Sequence, residues 1–259
     1  MSQARTVTSG PRRSARLVTW ARAWRAGTVS YDDVADATES GEEHLVADAP
    51  GTWTDVPLRE AVRLLARLHP DEIRLVLPAP GDPYGLNDPG PFAANAIDAG
   101  EGVIAGRLGL VPRVRQHTSG SGDTFETVVW QAYELSRDPG PNVAAAAEAE
   151  AELTAALAEA TMALTKLDVA AWRPELAGSL QALRRSDNGT DLPPGFSPRA
   201  RRLFARASVL DRVLALAAEV APGGAVTGFE ARQRDEALRP LSVACRRAVV
   251  AACNSPLDL

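Results

Sequence analysis

A chain of 259 residues with 45% hydrophobic and 24% charged residues has the ordinary globular mixture, long enough to bury a core without disulfides and far from the composition of disorder. Its formal charge of −5 argues against a surface built as a whole for nucleic acid. Lys166 is the only lysine, so mechanisms that need a Schiff-base or phosphate-binding lysine have one candidate, and that one sits inside a strong helical pattern without glycine-rich surroundings.

Residues 1–11 are small and polar and are expected to be a disordered tail. A helix is predicted from Arg12, with Leu17, Trp20, Ala21 and Trp24 on one stripe and Gly27 placed to end it. Residues 1–25 hold six arginines and no acid, whereas 26–60 hold nine acids and one arginine. The two stretches either complement each other or leave a basic arm for an anionic partner; the first reading is the expectation. Ser30 can cap a second short helix, with Asp32 and Asp33 near its positive end.

Residues 44–47 form a strand candidate. Asp55 and Pro57 open a helix whose buried stripe is read as Ala61, Leu64, Leu65 and Leu68, with Arg59, Arg63 and Arg67 facing away. After Pro70 the apolar run Ile73 to Leu77 reads as an interior strand, so residues 44–77 have the length of a βαβ unit with a parallel pair. The fourteen residues Pro78 to Pro91 include eight Pro or Gly, too constrained for a linker and too long for an ordinary connection. A short helix follows from Phe92 to Ala99. Strands at 102–106, 110–117 and 124–134 are expected to pair as an antiparallel meander, with a mobile Ser/Gly connection between the last two.

Beyond Asp138-Pro-Gly-Pro the composition turns to Ala, Leu, Glu and Arg. Leu153, Leu157, Ala160, Leu164 and Leu167 recur at helical spacing, as do Leu203, Ala207, Leu210, Leu214 and Ala217. Pro174 can open a further helix with Trp172 near its start. Thr227 and Glu230 make a capping box for a last helix, whose stripe of Leu238, Leu241, Cys245, Ala248 and Ala252 should be kinked or broken at Pro240. The predicted class is α+β: a mixed sheet with helices over 12–138, then an antiparallel helical bundle over 143–259, either as a separate domain or as one cooperative unit with the first.

Most signatures of chemistry are missing from the sequence. It has no Walker Gly-Lys-Ser/Thr, no His-Glu-x-x-His, no Cys-x-x-Cys and no Gly-x-Ser-x-Gly. Gly100, Gly102 and Gly106 approximate a dinucleotide spacing, yet they run from a helix into a strand, the reverse of that motif. His44, His69 and His117 are spaced like no metal-ligand set, so neither a metal nor a cofactor is expected. Cys245 and Cys253 lie eight apart on one helix, roughly 12 Å at ~1.5 Å per residue, too far to pair. Both are expected as buried apolar residues of a cytoplasmic protein, since arginines interrupt any export signal after Arg12-Arg13 and no run approaches the ~18 apolar residues of a membrane span.

The remaining candidate is the Pro/Gly loop. Asp82, Tyr84, Asn87 and Asp88 supply acceptors, donors and an aromatic where a strand end meets a helix start, the place where open α/β sheets hold ligands. The prolines can equally serve to wrap the loop over the sheet, with the polar groups satisfying its backbone. The leading functional expectation is a non-catalytic binding or regulatory protein for an unidentified small molecule or protein partner, with neither membrane nor nucleic acid expected. The alternative is an enzyme acting on a small polar or anionic substrate at residues 78–91, with Asp82 or Asp88 as general base.

The segments Arg74-Leu-Val-Leu-Pro-Ala-Pro-Gly-Asp-Pro, Ala171-Trp-Arg-Pro-Glu, Leu192-Pro-Pro-Gly and Leu238-Arg-Pro-Leu resemble uncharacterised conserved proteins of high-GC Gram-positive bacteria. The resemblance spans most of the chain. It implies a bacterial protein and carries no activity, fold or catalytic residue with it.

Overall fold

Short apolar runs and the helical stripes between them place strands and helices close to where the sequence puts them. The computed structural model describes residues 12–51, 54–87, 89–118, 120, 124–136, 144–166, 192–219 and 228–258. These fall into two compact units.

The α+β unit draws on residues 12–136 together with 192–197 and 253–258. Its helices are α1 (Arg13–Arg25), α2 (Tyr31–Glu39), α3 (Leu58–Ala61) and α4 (Pro91–Ala99). Its strands are β1 (Glu43–Ala47), β2 (Val56–Pro57), β3 (Ile73–Val76), β4 (Gly102–Ala105), β5 (Leu108–Thr118) and β6 (Thr124–Glu134). They form one mixed sheet in the order β2-β1-β6-β5-β4-β3. The meander β4-β5-β6 is antiparallel, as the short connections predict.

The βαβ expectation is overturned. β1 and β3 do not pair; β1 runs parallel to β6, from Glu43 opposite Thr127 to Ala47 opposite Gln131, and β3 runs antiparallel to β4. The physical reason is that the meander enters between them and gives both strands better partners. β6, with Val128, Val129 and Trp130 buried, offers β1 a fully interior neighbour, which leaves β3 as an edge.

Successive residues of a strand face opposite sides, and β5 uses this to place two helices. Gly109 lies under the Phe92 ring of α4, where a Cβ would meet the ring at 2.5 Å, while Leu110 shares an apolar cluster with Leu17 of α1. Thus α1 and α4 cover opposite faces of the sheet. Leu17 and Ala21 are buried as read, but burial extends around α1 through Val18, Thr19, Arg22 and Ala23, and Trp20 and Trp24 are only half-buried. Gly27, at φ 76°, ends this helix in the left-handed conformation. Ser30 and Asp33 close the predicted cap of α2 as a reciprocal capping box.

Residues 58–67 depart from the predicted stripe. After one α-helical turn the backbone tightens to a 3₁₀ helix over Val62–Arg67, and the buried residues are Leu58, Val62 and Leu65. Three residues per turn align 62 with 65, whereas 3.6 would have aligned 61 with 64 and 65. Leu64 is 50% exposed as a result.

The helical unit contains α5 (Ala146–Lys166), α6 (Pro198–Glu219) and α7 (Gly228–Cys253), the last residue of α7 belonging to the sheet unit. Ala149, Leu153, Ala156 and Ala160 form the buried seam of α5, and Ala200, Leu203, Phe204 and Ala207 that of α6. Arg199 pairs with Glu150 and Arg206 donates to Thr154, so the register ascends along both helices. α7 runs unbroken past Pro240. Burial pushes the Cys245 thiol up to about 12 and that of Cys253 higher still, which makes both packing residues and poor nucleophiles. No helix of the described residues is long and apolar enough to cross a membrane. The tail 1–11, the Ser/Gly connection at 119 and 121–123, the helix predicted from Pro174, the side chain of Lys166, and Thr227 lie outside the described residues.

Candidate functional site: an apolar pocket beside the proline-rich loop

β3 ends at Val76, and the chain is then held by its own turns. Ala79 and Asp82 exchange backbone hydrogen bonds of 2.9 Å, and the Leu86 amide donates to Pro83 at 2.9 Å. Gly85 takes φ 86°, and a Cβ there would sit 3.0 Å from Val76 Cγ1, so only glycine lets the loop lie against the strand end. Leu86 is thereby laid against the core cluster of Val76, Phe92, Ala96, Ile104 and Val111. Pro91 then starts α4 at its first position, where a missing N–H does no harm.

Between this loop and the end of β6 lies a pocket of about 510 Å³. Leu86, Phe92, Ile104 and Leu135 form its walls, with Asn87 and Tyr133 as polar groups and Glu134 at its edge, paired outward with Arg107. The Phe92 and Tyr133 rings meet at 6.0 Å and 58°. Burial, partly opposed by Arg113, raises the Tyr133 phenol above its ordinary value, so it serves as a neutral hydrogen-bonding group.

Of the four loop residues singled out by sequence, the structure brings Asn87 to the pocket. Asp82 is half-buried in the 79–82 turn, Tyr84 is half-buried upstream, and neither is among the lining residues; Asp88 lies outside the described residues. Sequence reasoning did not reach Phe92 and Tyr133 as a pair. Its available signal was Gly109, a glycine inside a strand, which marks a place where something approaches the backbone closely. Replacing Gly109 by alanine should drive the Phe92 ring aside, lowering stability by about 1–3 kcal/mol. Thermal unfolding checks the loss, and a chemical-shift change at Tyr133 checks the displacement of the ring.

A second polar group is buried on the other side of β6. Trp130 Nε1 donates to His44 Nδ1 at 3.2 Å, His44 Nε2 lies 3.3 Å from Glu42, and Glu42 also receives Arg13 Nε at 3.1 Å. A carboxylate beside an imidazole is the raw material of acid–base catalysis. Here both ring nitrogens are committed, because the indole N–H fixes Nδ1 as acceptor and leaves the proton on Nε2 facing Glu42. The cluster is a buried strut between α1, β1 and β6.

Burial holds the His44 imidazole below its ordinary value, against the pull of Glu42. The unfolded chain therefore binds a proton first as pH falls, and stability, full above about 6.5, declines below it by up to about 1.4 kcal/mol per pH unit. For Glu42, desolvation is outweighed by hydrogen bonds from Arg13 and His44, so its carboxylate is held low and its contribution is lost only further into acid. Urea titrations between pH 7.5 and 5 should show this decline, and His44→Gln should flatten it.

Four of the arginines near the N-terminus are spent inside the unit. Arg12 donates to Gly100, Arg13 pairs with Glu42, Arg22 reaches Pro70, Asp71 and Cys253, and Arg25 donates to Leu68. The complementing of basic and acidic stretches expected from the sequence is seen directly in the Arg13–Glu42 pair. His69 accepts from the Asp71 amide at the start of a 3₁₀ turn, and His117 stacks on Phe125. Among the described residues no group of three His, Cys, Asp or Glu is placed to hold a metal.

Two family models match the chain. Residues 14–148 match the Rv1486c-like protein, N-terminal domain, and residues 147–250 the Rv1486c-like protein, C-terminal domain. The chain is 29% identical over 282 residues to the uncharacterized protein Rv1486c of Mycobacterium tuberculosis, covering 94% of this chain and 96% of that protein. It is 27% identical over 289 residues to the uncharacterized protein ML1804 of Mycobacterium leprae, covering 94% and 97%. Both relatives come from high-GC Gram-positive bacteria, the group whose proteins the sequence resembles. No solved structure matches.

Proposed function

The chain belongs to the Rv1486c-like family, matched along both of its halves, and we propose that this chain works by binding, holding a small molecule with an apolar body and one hydrogen-bonding group in the pocket between residues 86–93 and the end of β6. The observation that carries this reading is the pocket itself. Its volume, about 510 Å³, falls in the range of small-molecule sites, and its walls are largely aliphatic and aromatic, with Asn87 and Tyr133 as polar groups. The backbone bonds at 79–82 and 83–86 hold one wall in place before a ligand arrives, which limits the entropy lost on binding. The buried imidazole, with both nitrogens engaged, supports a structural role for the one histidine–carboxylate pair described in detail above. A cytoplasmic location belongs to the same reading, supported by two free cysteines buried in the fold.

The test is fluorescence titration with 1-anilinonaphthalene-8-sulfonate, an amphiphile of suitable size, on the intact protein and on Ser136→Trp. Ser136 is exposed at the pocket's rim, so an indole there fills the opening without entering the core. Saturable binding at one site, weakened at least tenfold by Ser136→Trp, is the expected result. Equal binding by the two proteins would remove the pocket from consideration.

A further inference from the structure

β5 is eleven residues long, yet β4 pairs only with Leu108, Gly109 and Leu110. From residue 111 onward β5 has β6 on one side and, among the described residues, no strand on the other. Residues 113–118 are exposed on both faces, and Thr124, Phe125 and Glu126 opposite them are exposed as well. Among the described residues the sheet thus ends in a two-stranded ribbon, whose β5 edge is open from residue 111 and whose β6 edge is open only before Thr127.

Proline chemistry tells which groups face that edge. Pro112 stands opposite Trp130 and has no N–H to give, so this pair is one of the non-hydrogen-bonded pairs of the antiparallel ladder. The ladder alternates. Val114, Gln116 and Thr118 are therefore non-bonded toward β6 as well, and their N–H and C=O groups point outward. Arg113, Arg115 and His117 lie between them on one face, and β5 has no acidic residue along its length; Arg113 is held from α4 by Asp98 at 3.6 Å and by Asn95, which leaves Arg115 as the cation set to meet an incoming strand.

We propose that this edge takes an extended acidic segment of a protein partner as an added antiparallel or parallel strand. The outward backbone groups of Val114, Gln116 and Thr118 supply the ladder, and a carboxylate of the segment lies beside Arg115, with Arg113 already shared with Asp98. Phe125, 52% exposed and stacked on His117, gives the same face an apolar floor. Charge decides between occupants. A second copy pairing edge to edge would bring the arginines of one β5 against those of the other, the arrangement by which edge strands avoid self-association, whereas an acidic strand relieves it.

The experiment is fluorescence anisotropy on the intact chain with a labelled octapeptide of alternating Glu and Val. Controls are the Lys–Val octapeptide, the Glu–Val octapeptide N-methylated at alternate residues, and a single-stranded DNA oligonucleotide. Gln116→Pro removes an outward N–H while leaving the backbone ladder to β6, Gln116→Ala controls for loss of its side-chain bond to Glu126, and Arg115→Glu reverses the charge of an exposed residue; unchanged thermal midpoints confirm that all three fold. Saturable binding of the Glu–Val peptide is expected, weakened at least tenfold by Gln116→Pro or Arg115→Glu but not by Gln116→Ala, and weakened likewise by N-methylation and by the Lys–Val exchange. No binding of the Glu–Val peptide overturns the proposal, and so does equal binding of the N-methylated or Lys–Val peptide. Tighter binding of the oligonucleotide assigns the ribbon to nucleic acid instead. Dimerisation on gel filtration that Gln116→Pro abolishes assigns the edge to a second copy.

Discussion

Replacing Arg22 by alanine lowers the free energy of unfolding by about 3–5 kcal/mol, the largest effect expected of any single substitution described here. The Arg22 side chain is 1% exposed, yet it carries a guanidinium. It is tolerated because its donors are used: Nε to the Pro70 carbonyl at 3.1 Å, Nη1 to the Cys253 carbonyl, and Nη2 to Asp71 at 2.9 Å. The guanidinium also lies over the Phe196 ring, 5.8 Å from its centroid. Asp71 is 64% exposed, so that ion pair contributes little by itself. The loss comes from the donor withdrawn from the Cys253 carbonyl, from the Pro70 carbonyl being left with the Ile73 amide alone, and from the space vacated over the Phe196 ring. Lysine does not restore stability, because a point charge with one nitrogen cannot reach three acceptors set around a planar fork. Urea unfolding with an unchanged m-value and a shifted midpoint is the measurement; a loss under about 1 kcal/mol would show that the three segments hold without this residue.

The second large effect concerns Asn254. β3 is an edge strand whose four residues are all buried, so its outward backbone groups are shut off from solvent and, among the described residues, have no strand beside them. Asn254 takes the strand's place: its Nδ2 donates to the Leu75 carbonyl at 2.9 Å, and the Leu75 amide donates to its Oδ1 at 2.8 Å. Asn254→Leu keeps the size and removes both bonds, and the loss is about 2–4 kcal/mol because the partners stay buried and unsatisfied. Nearby, Phe196 bridges Leu257, Asp258 donates to Gly195, and Thr28 donates to Pro194. The α+β unit therefore depends on chain that arrives more than a hundred residues after β3. Cleavage between residues 138 and 142 should accordingly leave the two pieces co-eluting on native gel filtration and separating only in denaturant. A separately expressed fragment ending at residue 142 should lack the dispersed amide spectrum of the intact protein. Independent, folded fragments would mean that the first half is self-sufficient.

These contacts mark where sequence reading stops. Asn254 and Phe196 follow a bundle-like stretch and look, locally, like its punctuation. Nothing in Leu192-Pro-Pro-Gly-Phe announces a partner near Thr28. Of the proposed pocket the sequence reached one wall: the loop's prolines and its place between strand and helix drew attention to residues 78–91, of which Asn87 lines the pocket. Phe92 and Tyr133, 41 positions apart, meet only because β5 and β6 are in a register that sets Gly109 against Tyr133.

The sequence by itself determined the α+β class, the ends of α1 and α4, the start of α2, the β4-β5-β6 meander, and the burial of both cysteines. All of these follow from local periodicity, caps and short connections, whose energetics are fixed within a few residues. The tertiary structure decided three things. It chose β6 over β3 as the partner of β1, tightened residues 62–67 into a 3₁₀ helix that turned Leu64 outward, and brought residues 192–197 and 253–258 to the sheet. Each is a choice between arrangements that local sequence satisfies about equally, and it is settled by which one buries the remaining apolar side chains while leaving no backbone group at an interior edge without a partner.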